Sequence, residues 1–170
     1  VKGNINEICK SEFEKANKNI QENIYTSLNN IIGELSNMIS AVQMAEDKNI
    51  DKVFKIAYKQ KQITYIFGLE PINGIGIGLQ IALLLAQKEE YKRVKVELEQ
   101  VLDILEKYPK GIFSINNIDF FKDTDFKVLE GSNTSFPAYG YSILVDQIFD
   151  LIREEYDFQE IKSRLEKALS

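Results

Sequence analysis

Apolar residues recur at steps of three and four over the first quarter of the chain. The pattern extends from Ile5 to Ala45, and it is the period of an α-helix of about ten turns. After Ile24 the spacing approaches a heptad repeat. A helix of about 60 Å is expected to protrude, to pair with a partner chain, or to bend between Asn17 and Gly33, where asparagines and a glycine weaken helical preference. The stripe consists of Ile5, Cys9, Phe13, Ala16, Ile20, Ile24, Leu28, Ile31, Leu35, Met38, Val42 and Ala45.

The rest of the chain predicts four or five further helices. Amphipathic patterns indicate helices over 51–67 and 91–108, with apolar residues at helical spacing. Residues 79–87 are almost wholly apolar, which is typical of a buried central helix. Leu84 and Leu102 are therefore expected in the core. Two more helices are predicted over 141–156 and 158–169.

Two regions are compatible with short strands. Ile63–Leu69 has strand-like composition at the end of the second helical pattern. The runs 111–115 and 126–129 are short enough to pair as one small β-hairpin within 110–131. We therefore predict a mostly α-helical single domain over residues 1–170. It is a bundle of five or six helices with a long N-terminal helix over 1–46, which extends from the bundle or packs on it.

Composition removes several classes of chemistry. Among 170 residues there are no histidines and one cysteine. The chain therefore lacks His-dependent nucleophile pairs, and on its own it cannot form a disulfide or a four-cysteine zinc site. Carboxylate chemistry with Mg²⁺ and acid–base chemistry by Lys or Tyr remain open. We expect no cofactor, no metal site and a non-enzymatic role.

Charge and hydropathy narrow the partners and the location. Residues 1–110 hold 15 basic and 15 acidic residues, whereas residues 111–170 hold 6 basic and 11 acidic ones. Nucleic acid binding is therefore not expected. The uncharged run 71–87 is too short and too rich in glycine for a membrane span. A single cysteine is typical of a reducing compartment, so we expect a cytoplasmic protein.

Two segments are candidates for ligand binding. Gly74, Gly76 and Gly78 precede the apolar run and suggest a loop that cradles phosphate. The spacing, however, matches neither the dinucleotide-binding fingerprint nor the P-loop. Their Ile and Leu neighbours favour close packing of helices instead. The other segment is a loop rich in turn-forming residues, with aromatic residues that suit recognition. These aromatic residues are Phe136, Tyr139 and Tyr141.

Two acidic pairs have the helical spacing that a Mg²⁺ site would use. Asp146 and Asp150 are four residues apart, and so are Glu99 and Asp103. Each pair shares one face of a helix. Neither pair has a second acidic pair that the sequence places opposite to it. Solvated charges are the simpler interpretation.

These observations favour a non-enzymatic helical interaction or sensory module that self-associates through its N-terminal helix. A first alternative is a domain that binds a small apolar ligand between helix 79–87 and its neighbours. A second is a Mg²⁺-dependent, all-helical enzyme that processes phosphates. The residues expected to bind the partner chain are Phe13, Ile20, Ile24, Leu28, Ile31 and Leu35.

Overall fold

Helices dominate the structure, a computed structural model that describes residues 2–44, 49–108, 115–124 and 147–169. This confirms the predicted helical bundle, and no strand occurs within those ranges. None of the described helices is long and apolar enough to span a bilayer. The five helices are α1 (Lys2–Met44), α2 (Ile50–Ile66), α3 (Ile75–Gln87), α4 (Tyr91–Lys107) and α5 (Tyr156–Leu169).

Helix α1 runs without interruption through Gly33, so of the alternatives that the sequence left open, a break between Asn17 and Gly33 is excluded. Its 43 residues correspond to about 65 Å. Each asparagine lowers helical preference by well under about 1 kcal/mol. Tertiary packing of the apolar face supplies most of the stability of a helix in a protein, and here it outweighs those small penalties.

The buried face of α1 is rotated away from the centre of the predicted stripe. Tyr25, Leu28, Ile32 and Ile39 are buried, and three of these four lie outside the predicted set. With half-buried Leu35 and Val42, they follow alternating steps of three and four. The apolar arc of α1 is therefore wider than one seam, and its core-facing side packs against the chain itself.

Helix α3 forms the centre of the fold between α2 and α4. Ile81, Ala82 and Leu85 are fully buried, as expected for a helix that is apolar all round. Leu84 and Leu102 are also buried, which confirms their assignment to the core. Helix α4 packs on its other side against α5. The cluster that joins these helices includes Leu98, Leu102, Phe149, Phe158, Ile161 and Leu165.

A second apolar cluster joins the middle of α1 to residues 115–121. The ring of Tyr25 meets Phe121 edge-on with centroids 5.6 Å apart. Leu69, Ile115 and Ile118 complete the contact. The described residues of the proposed hairpin region form two 3-10 turns, Ile115–Asn117 and Asp119–Phe121. The predicted strands lie almost entirely outside the described residues.

Helix α2 continues to Ile66, which confirms the predicted helix over 51–67 and excludes the alternative of a short strand at Ile63–Leu69. The inner face of α2 repeats at helical spacing up to buried Thr64. Gly68 then adopts φ +67°, a left-handed conformation that glycine accepts without strain. The N–H of Leu69 donates to the carbonyl of Thr64 at 2.8 Å, which closes the helix end. A π-helical turn, Glu70–Gly74, leads into α3.

The predicted helix over 141–156 is wrong in its described part. Gln147–Phe149 is a 3-10 turn, and turns and a bend follow up to Glu155. Phe149 and Ile152 are buried, and their spacing of three suits tight turns. Helix α5 begins at Tyr156, two residues before the predicted start.

Candidate functional site

One side of α1 carries exposed apolar residues along most of its length. The exposed fractions are 72% for Phe13, 57% for Ile20, 47% for Ile31 and 49% for Met38. Cys9 is also exposed. On a helical projection these five residues fall within one narrow arc. We call Cys9, Phe13, Ile20, Ile31 and Met38 the exposed stripe.

The exposed stripe exists because the fold covers only one side of α1. Helix α2 and residues 119–121 pack against the face that holds Tyr25 and Ile32. Residues 7–16 are exposed on every side. The stripe lies at one edge of the buried face, so half-buried Ile24 and Leu35 separate it from the core.

From Asn19 onward α1 carries few charges, whereas residues 7–18 carry six. Residues 19–44 contain only two charged side chains, Glu22 and Glu34, although 28% of the whole chain is charged. A helix face that only meets water normally carries charged and polar residues. Except at Glu34, between Ile31 and Met38, asparagine, serine and alanine border most of this part of the stripe. These residues tolerate burial against a protein surface far better than Lys or Glu does.

The structure divides the residues that were predicted to bind a partner. Phe13, Ile20 and Ile31 are exposed and available to another chain. Ile24 and Leu35 are half-buried and line the edge of the stripe. Leu28 is only 7% exposed and packs in the chain's own core, so it does not belong to the exposed stripe.

A cleft of about 290 Å³ lies between α2, α3 and α4. Residues of α2, of the turn that precedes α3, of α3 itself and of α4 line this cleft. Its lining consists of Lys61, Thr64, Tyr65, Glu70, Gly74, Gly78, Glu97, Gln100, Val101, Asp103 and Ile104.

An ion pair bridges the two walls of the cleft. The ammonium of Lys61 donates to the carboxylate of Glu97 and, at 2.6 Å, to Oε1 of Gln100. Glu97 is buried, and a buried carboxylate requires such a partner. Because its ammonium is paired with the Glu97 carboxylate, Lys61 adds little net positive charge to the cleft. Glu70 forms no ion pair within the part of the chain that the structure describes.

Thr64 is the unusual polar residue of the cleft wall. It is 1% exposed, and its hydroxyl has no hydrogen-bond partner among the described residues. By contrast, the hydroxyls of Thr26, Ser36 and Ser40 each donate to a carbonyl one turn back. A buried hydroxyl without a partner loses its hydration without replacement.

The structure places two of the three candidate glycines in this cleft. A Cβ on Gly74 would lie 2.9 Å from Cδ1 of Ile104, and one on Gly78 would lie 2.5 Å from Cγ2 of Val101. Both glycines therefore permit close approach of α4, as the sequence interpretation favoured. Gly76 projects from another face of the helix. The aromatic candidates Phe136, Tyr139 and Tyr141 lie outside the described residues.

Another hollow, of about 410 Å³, adjoins the far end of α3. Leu84 and Gln87 belong to the predicted apolar-ligand helix and line it together with Val42, Ile50 and Val53. None of the described residues that line it is charged. Its position fits the alternative of a small apolar ligand beside helix 79–87.

The acidic pairs do not assemble into a site among the described residues. Asp150 pairs with Arg153 of its own turn, with Oδ1 and Nη2 2.7 Å apart, and Asp146 is not described. Glu99 and Asp103 are exposed on α4. Within the described ranges, no three His, Cys, Asp or Glu side chains form a group that could hold a metal ion.

Sequence reasoning missed Lys61, Thr64 and Glu97, although the sequence contains a signal for two of them. Thr64 occupies an inward position of α2 after Val53, Ala57 and Gln60. Glu97 occupies an inward position of α4, between buried apolar residues. A polar residue at a core position of an amphipathic pattern indicates either a buried pair or a site.

Comparisons with known proteins found no relative of this chain that could indicate a role for the exposed stripe or the cleft. The exposed stripe and the cleft therefore rest on the geometry of this chain alone. No protein-family model, curated protein or solved structure matches the chain.

Proposed function

We propose that this protein is a non-enzymatic interaction module that associates with a second copy of itself through the exposed stripe of α1. The observation that supports the proposal is the exposure of Phe13, Ile20, Ile31 and Met38 along one face of one helix. Soluble monomers rarely leave extended apolar patches in water. Burial of these four side chains stabilises the complex by the hydrophobic effect.

A second copy of the chain fits the stripe in size. From Cys9 to Met38 the stripe is about 44 Å long, and a helix is about 12 Å wide. Pairing two such faces buries on the order of 1,000 Å² in total, which is near the lower bound for a specific interface. The expected product is a reversible dimer. Its dissociation constant is on the order of micromolar.

Charge favours a parallel orientation of the two copies. Lys10 and Glu12 fall on opposite flanks of the exposed stripe on a helical projection. Opposite flanks meet in a parallel pair, so Lys10 of each copy would approach Glu12 of the other. Lys10 also lies 3.9 Å from Glu14 on the same helix. Between residues 19 and 44, Glu34 is the charged residue on this face, three residues after Ile31 and four before Met38, so an in-register parallel pair contains one like-charge contact there.

The test replaces exposed residues only, because Ile24 and Leu28 contribute to the fold. We expect Ile20→Asp together with Ile31→Asp to convert the dimer to a monomer in sedimentation equilibrium. Circular dichroism should show helical content per chain that is close to that of the wild type. The matched control is Val96→Asp, which alters an exposed residue of α4 and should leave the dimer intact. A wild-type chain that is monomeric at high micromolar concentration refutes the proposal.

A further inference from the structure

We infer that the outward side of α2 is a docking surface for an acidic, amphipathic segment of another protein. Lys52, Lys55 and Lys59 are all exposed on this helix. Their spacing of three and four residues places them on one side of it. We call these three residues the basic face. It shares no residue with the exposed stripe, so the inference does not rest on self-association.

The basic face has no carboxylate partner within the described ranges. None of its three ammonium groups forms a salt bridge there, and Lys59 donates to the amide oxygen of Gln62 at 3.1 Å instead. Asp51 is the one acidic residue of α2. It lies within Coulombic range of Lys55, but it accepts a hydrogen bond from Lys88 at 2.6 Å. The charge of the basic face therefore remains for a partner to neutralise.

A hollow of about 430 Å³ lies beside the basic face. All three lysines line it, and none of the described residues of its lining is acidic. Lysines next to apolar surface are complementary to a segment that carries both carboxylates and apolar side chains. Apart from Gln62, the rest of the lining is apolar or aromatic and consists of Leu35, Phe54, Ile56 and Tyr58.

The same side of α2 continues past the lysines to Ile66. This residue follows Lys59 by two helical turns and is 72% exposed. Its neighbour Tyr65 is 74% exposed, and tyrosine is enriched at protein interfaces. From Lys52 to Ile66 the surface is about 21 Å long. A partner segment of about four helical turns would therefore meet the lysines at one end and the exposed apolar residues at the other.

A protein segment fits these features better than an anionic bilayer does. The hollow can receive a side chain, whereas a bilayer presents a flat surface. Clusters that bind anionic lipids usually hold about four to eight basic residues, and the basic face holds three lysines. The proposed partner is therefore a polypeptide with carboxylates and large apolar residues.

Three probes test this chemistry. The first is a peptide of Glu and Leu at helical spacing, about 14 residues long. The second has Gln in place of every Glu, and the third is a vesicle of phosphatidylcholine and phosphatidylserine. Peptide binding to the full chain is followed by fluorescence anisotropy, and vesicle binding by co-sedimentation. We expect the acidic peptide to bind with a dissociation constant on the order of 100 μM, and the Gln peptide about tenfold more weakly.

Added salt should weaken binding of the acidic peptide, because the attraction is between exposed charges. Equal binding of the two peptides overturns the inference. Binding to the vesicles without binding to the acidic peptide also overturns it, and would identify the surface as one for lipids.

Two double variants test the residues assigned to the partner. Lys55→Gln with Lys59→Gln should weaken the acidic peptide about fivefold. The matched control is Lys92→Gln with Lys122→Gln, which removes the same charge from exposed residues elsewhere and should change the affinity by about twofold at most. Circular dichroism should show wild-type helical content in both. Equal losses of affinity in the two double variants, or unchanged affinity in the first, contradict the assignment.

Discussion

Gly78 of α3 and Val101 of α4 are in such close contact that a Cβ on Gly78 would lie 2.5 Å from Cγ2 of Val101. The two helices therefore meet over the glycine, and any side chain there would push them apart. This contact lies at the centre of the fold, since α3 packs more extensively against α4 than against any other described helix. It also lies on the wall of the cleft.

Gly78→Ala is expected to destabilise the protein by about 1–3 kcal/mol, the usual result of overpacking a core. The free energy of unfolding is measured by urea denaturation. In a Val101→Ala background the penalty of Gly78→Ala should shrink, because the clashing methyl group is absent. An equal penalty in both backgrounds would place the cause elsewhere than in this contact.

Gly33→Ala is the matched glycine substitution at an open position, and it should raise the free energy of unfolding where Gly78→Ala lowers it. A Cβ at Gly33 would meet nothing within 4 Å, and the residue lies inside α1. Alanine in a helix interior is more favourable than glycine by about 0.5–1 kcal/mol. We expect that gain in urea denaturation. A loss of stability would indicate that α1 is less regular at Gly33 than described.

Leu102→Ala should destabilise the protein by about 2–5 kcal/mol, because its fully buried side chain leaves a cavity. Leu151→Ala is the control, since Leu151 is 74% exposed. A change within about 0.5 kcal/mol is expected there. If both variants unfold at the urea concentration of the wild type, α4 is not part of the core.

Cys9 reports the orientation of the proposed dimer. In a parallel, in-register pair the two Cys9 side chains lie next to each other, so mild oxidation should give a disulfide-linked dimer on a non-reducing gel. Cys9→Ser should abolish this product and leave folding intact, because Cys9 is exposed. A dimer in sedimentation that never forms the disulfide would indicate an antiparallel pair.

Acid should weaken the contact between α4 and α5. A hydrogen bond from Lys95 lowers the pKa of Asp157 below its ordinary value of 3.8, and Lys95 also bonds to Glu155 at 2.7 Å. A carboxyl whose pKa is lowered by folding stabilises the protein above its unfolded pKa and loses that contribution as the pH falls through its folded pKa. The melting temperature should therefore fall below about pH 4.

Lys95→Gln isolates this contribution. The variant should melt at a lower temperature than the wild type at pH 7, and the difference should narrow at pH 3. The carboxylate is exposed to solvent, so the effect is small. If the melting temperatures of variant and wild type differ by the same amount at pH 7 and at pH 3, the pair does not contribute to the acid dependence of stability.

The elements that the sequence predicted well are those whose pattern is unambiguous. Residues 79–87 are apolar on all sides, and Leu98 and Leu102 follow helical spacing, so α3 and α4 and their buried leucines could be derived locally. Glu97 and Thr64 could have been marked as polar residues at core positions. That both residues line one cleft could not be derived, because it depends on how α2 and α4 each pack on α3.

Periodicity and helical propensity are properties of each segment alone, so the amino-acid pattern was enough to predict that this chain is helical, that its core includes α3 and α4, and that α1 is long. Which part of the broad apolar arc on α1 is buried follows only from the packing of the folded chain. Tyr25, Ile32 and Ile39 enter the core, whereas Phe13, Ile20, Ile31 and Met38 remain exposed. The physical reason is that burial depends on which neighbour covers a face, and that choice is made by contacts between residues far apart in the chain.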